Sequence, residues 1–352
     1  MKLVKLQLVL FLLSLTVFTA SAQNREAINK FMTTYSKSWD ASCFGKQVPS
    51  YSFSEKYGRE TMKGRNTLLL FWNVTDHNKQ LMLSIDTLRN IGKFDAKLIG
   101  VAYSEPSVGE SAAFWKANRM HFPGFYGKAA VKLAKALKAE KGVTAVLVDS
   151  EGTVCGKWMN VEKRDMNWVQ TAIWALTATP DVMKPANVVK YFQQSNNYRA
   201  LYVSEQLDEE KDFANVWSTK LICMSSVAFS HVLPYEKKIY AWNKQTNASD
   251  KAAYEKVLYF VLYTIAGPNM TKDVCDYNLP LCEELLQLNP DKYNKDYIFL
   301  DQYRSFLLIA GNKSKSLELL NRCIHLTEDK MKDDPGMKIT VDYFKRQLVQ
   351  YQ

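Results

Sequence analysis

Six cysteines, four histidines and one polar tetrapeptide supply the redox and metal-binding potential of this 352-residue chain. The tetrapeptide, Asp76-His77-Asn78-Lys79, follows the run Leu68-Leu69-Leu70-Phe71-Trp72-Asn73-Val74-Thr75, which reads as a buried strand feeding a helix. Two thiols spaced two residues apart at such a helix start would carry out dithiol exchange. One thiolate attacks and the second resolves the mixed disulfide, while unpaired N–H groups at the helix end stabilise the thiolate. Asp76 and Lys79 have that spacing at the helix start, and neither can form a disulfide. His77 has no cysteine within local reach to activate. The ordinary use of an aspartate here is as a cap or a first-turn anion, and capping is the role expected of Asp76.

The cysteines are Cys43, Cys155, Cys223, Cys275, Cys282 and Cys323, with no Cys-x-x-Cys among them. Cys275 and Cys282, separated by a stretch containing Pro280, are the candidate disulfide, closing a loop between two helices. Free thiols packed in an apolar core are the competing use. Cys43 and Cys155 form a second pair weighed against buried packing. The histidines, His77, His121, His231 and His325, are scattered without His-x-x-His or His-Glu-x-x-His spacing, so no metal site is expected. There is no phosphate-cradling glycine loop and no serine-hydrolase elbow, so no cofactor is expected either.

Phe71-Trp72 belongs to a series of matches. Gly45 to Phe53 precedes it, Met62-Lys63-Gly64-Arg65 leads into it, Lys97 to Ser104 reads as the next parallel strand, and Gly142 to Val154 as a closing hairpin turning at Asp149 to Gly152. In order and spacing these segments resemble the secreted thioredoxin-like proteins related to cytochrome-maturation factors and thiol peroxidases, of the kind found in Bacteroidetes-type bacteria. The resemblance covers residues 41–179. It implies an α/β thioredoxin-like domain, a central mixed sheet flanked by helices. The family carries Phe-Trp-x-x-Trp-Cys-x-x-Cys at the strand–helix junction and a cis-proline facing the cysteine pair. Here Asp76 and Lys79 replace the cysteines and Val143 the proline, so Asp76, His77, Asn78, Lys79 and Val143 form a degenerate redox site. A peroxiredoxin Thr-x-x-Cys is absent at Thr75 to Asn78. In this fold His77 and His121 could meet above the sheet beside Asp76 as mixed metal ligands, although loop packing is their ordinary use. Glu105 and Glu110 would lie on a loop near His77.

Residues 1–22 carry Lys2 and Lys5, an apolar run from Leu6 to Phe18 and Ala20-Ser21-Ala22 before Gln23. This is the pattern of a secretory signal, and its apolar core is shorter than a membrane span requires. Export to the periplasm or exterior is expected, with no stable membrane span. Losing the leader lowers the net charge from +10 to +8, since two lysines and no acid leave with it. The lysines look spread over many elements. The surplus could steer an anionic partner, and export argues against nucleic acid.

An amphipathic helix is expected over 23–40, through Ile28, Phe31, Met32, Tyr35 and Trp39. From Pro180 strand signals vanish, and helices are expected at 187–206, 208–232, 234–246, 250–265, 280–288, 294–310, 313–329 and 337–351. The range 180–352 therefore reads as an all-α helical-hairpin domain. Its turn at Gly311 to Leu320 is tetratricopeptide-like, but no 34-residue period supports an array. The expected function is a redox-inactive module that binds a protein, peptide or glycan in the bacterial envelope. The alternatives are a thiol oxidoreductase using Cys155 or Cys43, and a structural envelope component.

Overall fold

The computed structural model describes residues 22–49, 64–90, 95–103, 108–265 and 270–351. The leader through Ser21, the segment Tyr51 to Phe53, Met62-Lys63 and Glu105 lie outside the described residues.

Five strands form one sheet: β1 (Thr67–Trp72), β2 (Lys97–Ala102), β3 (Gly124–Phe125), β4 (Thr144–Val148) and β5 (Val154–Trp158). Their order is β3-β2-β1-β4-β5. β1, β2 and β3 run parallel, and β4 is antiparallel to both β1 and β5. A strand covered on both faces has no polar side to present, which is why β1 runs unbroken apolar from Leu68 to Trp72 after Thr67, with all six residues buried. The helices α1 (residues 22–35), α2 (Asp76–Asn90), α3 (Val108–Ala117), α4 (Lys128–Ala136) and α5 (Met166–Thr177) accompany the sheet. This is a thioredoxin-like α/β domain. Its closing turn is held by Asp149, whose carboxylate accepts the Glu151 and Thr153 N–H groups at 2.9 Å each, while Gly152 takes φ +87°.

Alternation along the strands splits the core between the two faces. Leu69, Phe71, Ile99 and Val101 pack with Ala130, Leu133 and Ala134 of α4. On the other face the Trp72 ring lies 5.4 Å from Phe114 and 5.1 Å from Trp115. Trp115 also covers Gly100, where an added Cβ would sit 2.5 Å from the indole. The indole N–H donates to the Phe122 carbonyl at 2.8 Å, which restrains the ring from yielding. Gly100→Ala should therefore lower stability by about 1–3 kcal/mol through overpacking. A thermal melt indistinguishable from the wild type would refute that account of the ring.

Contacts divide the chain into two compact units, the first comprising Met1–Asn187 with Tyr202–Leu207 and the second Val188–Leu201 with Asp208–Gln352. Helices α6 (Pro185–Gln193), α7 (Asn197–Glu205), α8 (Glu209–Val227), α9 (Val232–Thr246), α10 (Lys251–Thr264), α11 (Lys272–Leu288), α12 (Pro290–Tyr293), α13 (Tyr297–Ala310), α14 (Lys313–Met331) and α15 (Lys338–Val349) follow the sheet. The helix expected over 187–206 is two helices, broken where Ser195 adopts φ +57°. The second unit's core gathers Leu258, Leu285, Tyr293, Phe299, Tyr303 and Leu320. Tyrosines there tie helix to helix through carboxylates: half-buried Tyr240 and buried Tyr254 donate to Glu284 at 2.7 and 2.6 Å, and buried Tyr293 to Glu255 at 2.7 Å. Trp217 and Trp242 pack between helices with Phe260 and Phe213.

The expected Cys275–Cys282 bridge is corrected here. Pro280 does not break the chain between two helices but lies inside α11, which carries both cysteines. Seven residues of helix separate two Cα atoms by about 10 Å, beyond the roughly 7 Å that a disulfide can span. Both thiols are buried and free.

Candidate functional site

The strand–helix junction of the degenerate redox site is built as the sequence implies. β1 ends at Trp72 and α2 begins at Asp76. Phe71 pairs with Thr144, which brings Val143, the residue before β4, to the same end of the sheet. Val143 thus lies at the end of the sheet from which the chain leaves for Asp76, His77, Asn78 and Lys79.

Their individual roles differ from expectation. Asp76 does not cap the helix. The Thr75 hydroxyl accepts the Asn78 N–H at 3.3 Å, and the Lys79 N–H reaches the Thr75 carbonyl at 2.9 Å. Asp76 is the first helical residue, its side chain fully exposed and paired with Lys79 at 3.2 Å. A first-turn carboxylate still profits from the helix dipole, and solvent screens a pair this exposed. His77 is exposed. Asn78 is the inward member: its side-chain amide donates to the Asn73 side chain at 2.6 Å and to the Asn73 carbonyl at 3.2 Å, locking the junction loop.

At the same end of the sheet, the carbonyls of Gly142 and Val143 are both engaged internally. The Tyr103 hydroxyl donates to the Gly142 carbonyl at 3.1 Å, and the Val161 N–H donates to the Val143 carbonyl at 2.8 Å. Val143 itself is buried, and every described peptide bond is trans. Gly142 takes φ +53°, and a Cβ there would fall 2.6 Å from Asn160 Oδ1. Tyr103 continues directly from β2, its N–H donating to the Trp72 carbonyl at 3.1 Å. Burial, with Glu140 nearby, raises its phenol above the ordinary value, so it stays a neutral donor. Sequence reasoning passed over Tyr103, Asn73 and Gly142. The only signal for Tyr103 was a tyrosine immediately beyond the second parallel strand.

His121 does not join His77. Its N–H and its ring Nδ1 both meet the Asp86 carboxylate at 2.8 Å. Asp86 lies ten residues beyond Asp76 on α2, about 15 Å along the helix, so the two histidines face different partners. Among the described residues no group of three or more metal-ligating side chains is assembled. Glu110 is exposed in the first turn of α3.

The thiols outside the motif are sealed. The staple weighed between Cys43 and Cys155 is not made; both are buried and free. Cys155 Sγ lies 3.5 Å from the Asp149 carboxylate, which Arg25 pairs, and burial followed by that carboxylate drives its pKa far above the ordinary thiol value. A thiol held protonated is a poor nucleophile. Cys43 Sγ contacts the Leu137 carbonyl at 3.3 Å and lies 3.9 Å from the buried ammonium of Lys157. That ammonium donates to Ser42 Oγ at 2.9 Å and pairs with Asp40 at 2.7 Å. Ser42 and Lys157 thus resemble a serine–lysine dyad in distance alone. A lysine that pairs with a carboxylate and donates to the hydroxyl cannot also accept its proton, so the group is structural.

No protein-family model matches the chain, and no curated protein does. Among solved structures, one described as a thiol:disulfide interchange protein DsbE from Chlorobium tepidum is similar at 15% identity over 38% of this chain and 98% of that chain, with a TM-score of 0.33. StoA from Bacillus subtilis is similar at 22% identity over 31% of this chain and 84% of that chain, with a TM-score of 0.28.

Proposed function

We propose that the chain is an exported, redox-inactive thioredoxin-like protein whose signal segment is 1–22 and which binds a protein, peptide or glycan in the bacterial envelope without changing it covalently. The observation that carries this reading is the state of the former redox end. An exposed aspartate and a lysine stand where two thiols would be needed, and the Gly142 and Val143 carbonyls at the same end of the sheet are bonded internally. Dithiol exchange needs both the thiols and a free backbone edge on which a substrate strand can lie. The helical domain, 180–352, supplies a second rigid surface. Six buried cysteines also fit a protein that keeps thiol chemistry out of its work.

The test is a pair of insulin-reduction assays with dithiothreitol as the electron source. The wild-type protein should not accelerate insulin precipitation above the uncatalysed rate. The double variant Asp76→Cys, Lys79→Cys should restore little activity, because the internally bonded carbonyls still deny the substrate its edge. Robust turnover by the double variant would show that the scaffold keeps its redox geometry, and turnover by the wild type would sink the reading outright. Affinity capture from envelope extract, run in parallel with blocked thiols, tests the binding half. A partner retained after blocking supports noncovalent recognition, whereas partners captured only through free thiols would revive disulfide exchange.

A further inference from the structure

The two most exposed large apolar side chains among the described residues belong to one helix. Ile339 is 78% and Val349 70% exposed, and both lie on α15. This helix buries Val341 and Phe344, and Phe344 joins the core cluster that contains Leu285, Phe299 and Leu320. The helical period then puts Ile339, Asp342, Arg346 and Val349 in one stripe on the side away from that core, at steps of three, four and three residues. All four are exposed. Arg346 Nε donates to the Asp342 main-chain carbonyl at 3.2 Å, which lays the guanidinium back along the stripe. Neither the Asp342 nor the Arg346 side chain enters an ion pair among the described residues, whereas the neighbouring Lys345 pairs with Glu328 of α14 at 2.7 Å.

The order of these residues is self-complementary. Read forwards, the stripe is apolar, acid, base, apolar; read backwards, it is apolar, base, acid, apolar. The positions are also symmetric about Phe344, with Ile339 and Val349 five residues to either side and Asp342 and Arg346 two. Two such helices laid antiparallel and crossing at Phe344 would set Ile339 against the second copy's Val349 and Asp342 against the second copy's Arg346. A two-fold axis makes each contact twice. Laid parallel, the same helices would set acid against acid and base against base, so the charges also select the direction.

We propose that the outer face of α15 is a self-association surface, on which a second copy of the chain docks its own α15 antiparallel across a two-fold axis at Phe344. Charge complementarity selects this occupant, because the stripe meets an opposite charge at both of its charged positions when it meets itself reversed. The apolar residues form the two outer layers and exclude water at the ends of the contact. The ion pairs form the two middle layers and fix direction and register, the use that polar core positions have in coiled coils. Twelve residues make a helix of about 18 Å. Such a pair covers less than the roughly 1,200 Å² of a stable interface, so the dimer is weak and reversible. The inference does not depend on the reading of the chain as a binding module.

The test is sedimentation equilibrium of the full-length mature protein over a concentration series. A reversible monomer–dimer equilibrium is expected. Ile339→Asp combined with Val349→Asp should weaken it by about a hundredfold or more, since the two-fold axis repeats each substitution. The thermal melt should not move, because both side chains are solvated. Asp342→Arg alone should weaken association by a similar factor by setting cation against cation, and Arg346→Asp alone by setting acid against acid. Mixed in equal amounts, these two charge variants should associate about as well as the wild type, because every charged position then meets its opposite. A wild type that stays monomeric up to about 1 mM would overturn the proposal. So would a dimer that survives Ile339→Asp with Val349→Asp, or a charge variant that dimerises by itself as well as the wild type does. A mixture that stays monomeric while the wild type dimerises would refute the antiparallel order and the proposal with it. None of these results touches the binding-module reading, which rests on the redox end of the first unit.

Discussion

Replacing Glu236 with glutamine is expected to stabilise the helical unit at neutral and mildly alkaline pH and to flatten its dependence on pH. Glu236 lies on α9, fully buried, and neither carboxylate oxygen has a hydrogen-bond partner among the described residues. Beside it on α11 stands Asn278, also fully buried, whose amide nitrogen donates to the Val274 carbonyl at 2.9 Å while its oxygen has no donor. Burial pushes the Glu236 carboxyl up to about 8, with Asn278 and Lys237 pulling it part of the way back. An unpaired buried charge is among the most costly things a core can hold, so the group keeps its proton. The neutral carboxyl then has a hydrogen to give, and the open Asn278 oxygen is the acceptor beside it.

The sign follows from linkage. The folded-state value is raised from 4.5 to about 8, so the native state binds the proton more tightly than the unfolded chain does. The stabilisation is complete below pH ~4.5 and is lost progressively as the pH climbs towards 8, by an amount on the order of 4 kcal/mol. Glutamine keeps the shape, cannot ionise and can donate to Asn278. Chemical denaturation at several pH values between 5 and 8 should show the wild type losing stability while Glu236→Gln stays level. The two should agree near pH 4.5. Parallel curves across that range would mean that Glu236 is ionised and compensated by a group or a water that the burial argument overlooks.

The second large effect is expected at Asp40, where removing one carboxylate strands a cation. Lys157 sits on β5 with its whole side chain buried, and its ammonium is met by Asp40 at 2.7 Å, Ser42 Oγ at 2.9 Å and the Leu137 carbonyl at 3.4 Å. Burial alone would raise the Asp40 carboxyl, but the hydrogen bonds from Lys157 and Ser42 outweigh it and hold the group below its ordinary value. Asp40→Asn removes the countercharge and should cost about 3 kcal/mol, the lower part of the range for breaking a buried pair, because Asp40 is partly solvated. Lys157→Met should be far milder, since it removes the buried charge itself and leaves Asp40 able to reach water. Combining the two substitutions should therefore recover much of the stability lost in Asp40→Asn. Because the Asp40 value is depressed, its contribution is present above pH ~4 and disappears on further acidification. The Asp40→Asn deficit should then shrink at low pH. If Lys157→Met proved as damaging as Asp40→Asn, the ammonium would be needed for its contacts to Ser42 and Leu137, and the desolvation argument would fail.

The chain by itself determined whatever rests on local pattern. Leu68 to Trp72 is unbroken apolar sequence because a strand covered on both faces has no side to spare for polar residues, so β1 was legible before folding. The absence of thiols at Asp76 and Lys79 was equally plain, since spacing along one helix is a local quantity. The turn at Asp149 to Gly152 could be read for the same reason, from an acceptor side chain and a glycine free to take positive φ. Long-range geometry decided the rest. Whether Asp76 or Thr75 caps α2 depends on the path of the loop, which a single turn of sequence does not fix. Cys275 and Cys282 seemed able to close a loop only while Pro280 was taken to end a helix; the packing of α11 lets the helix run through it and carries the thiols apart. Burial is a property of what comes to rest on a residue. The unpartnered carboxyl of Glu236 and the sealed ammonium of Lys157 therefore left no local trace.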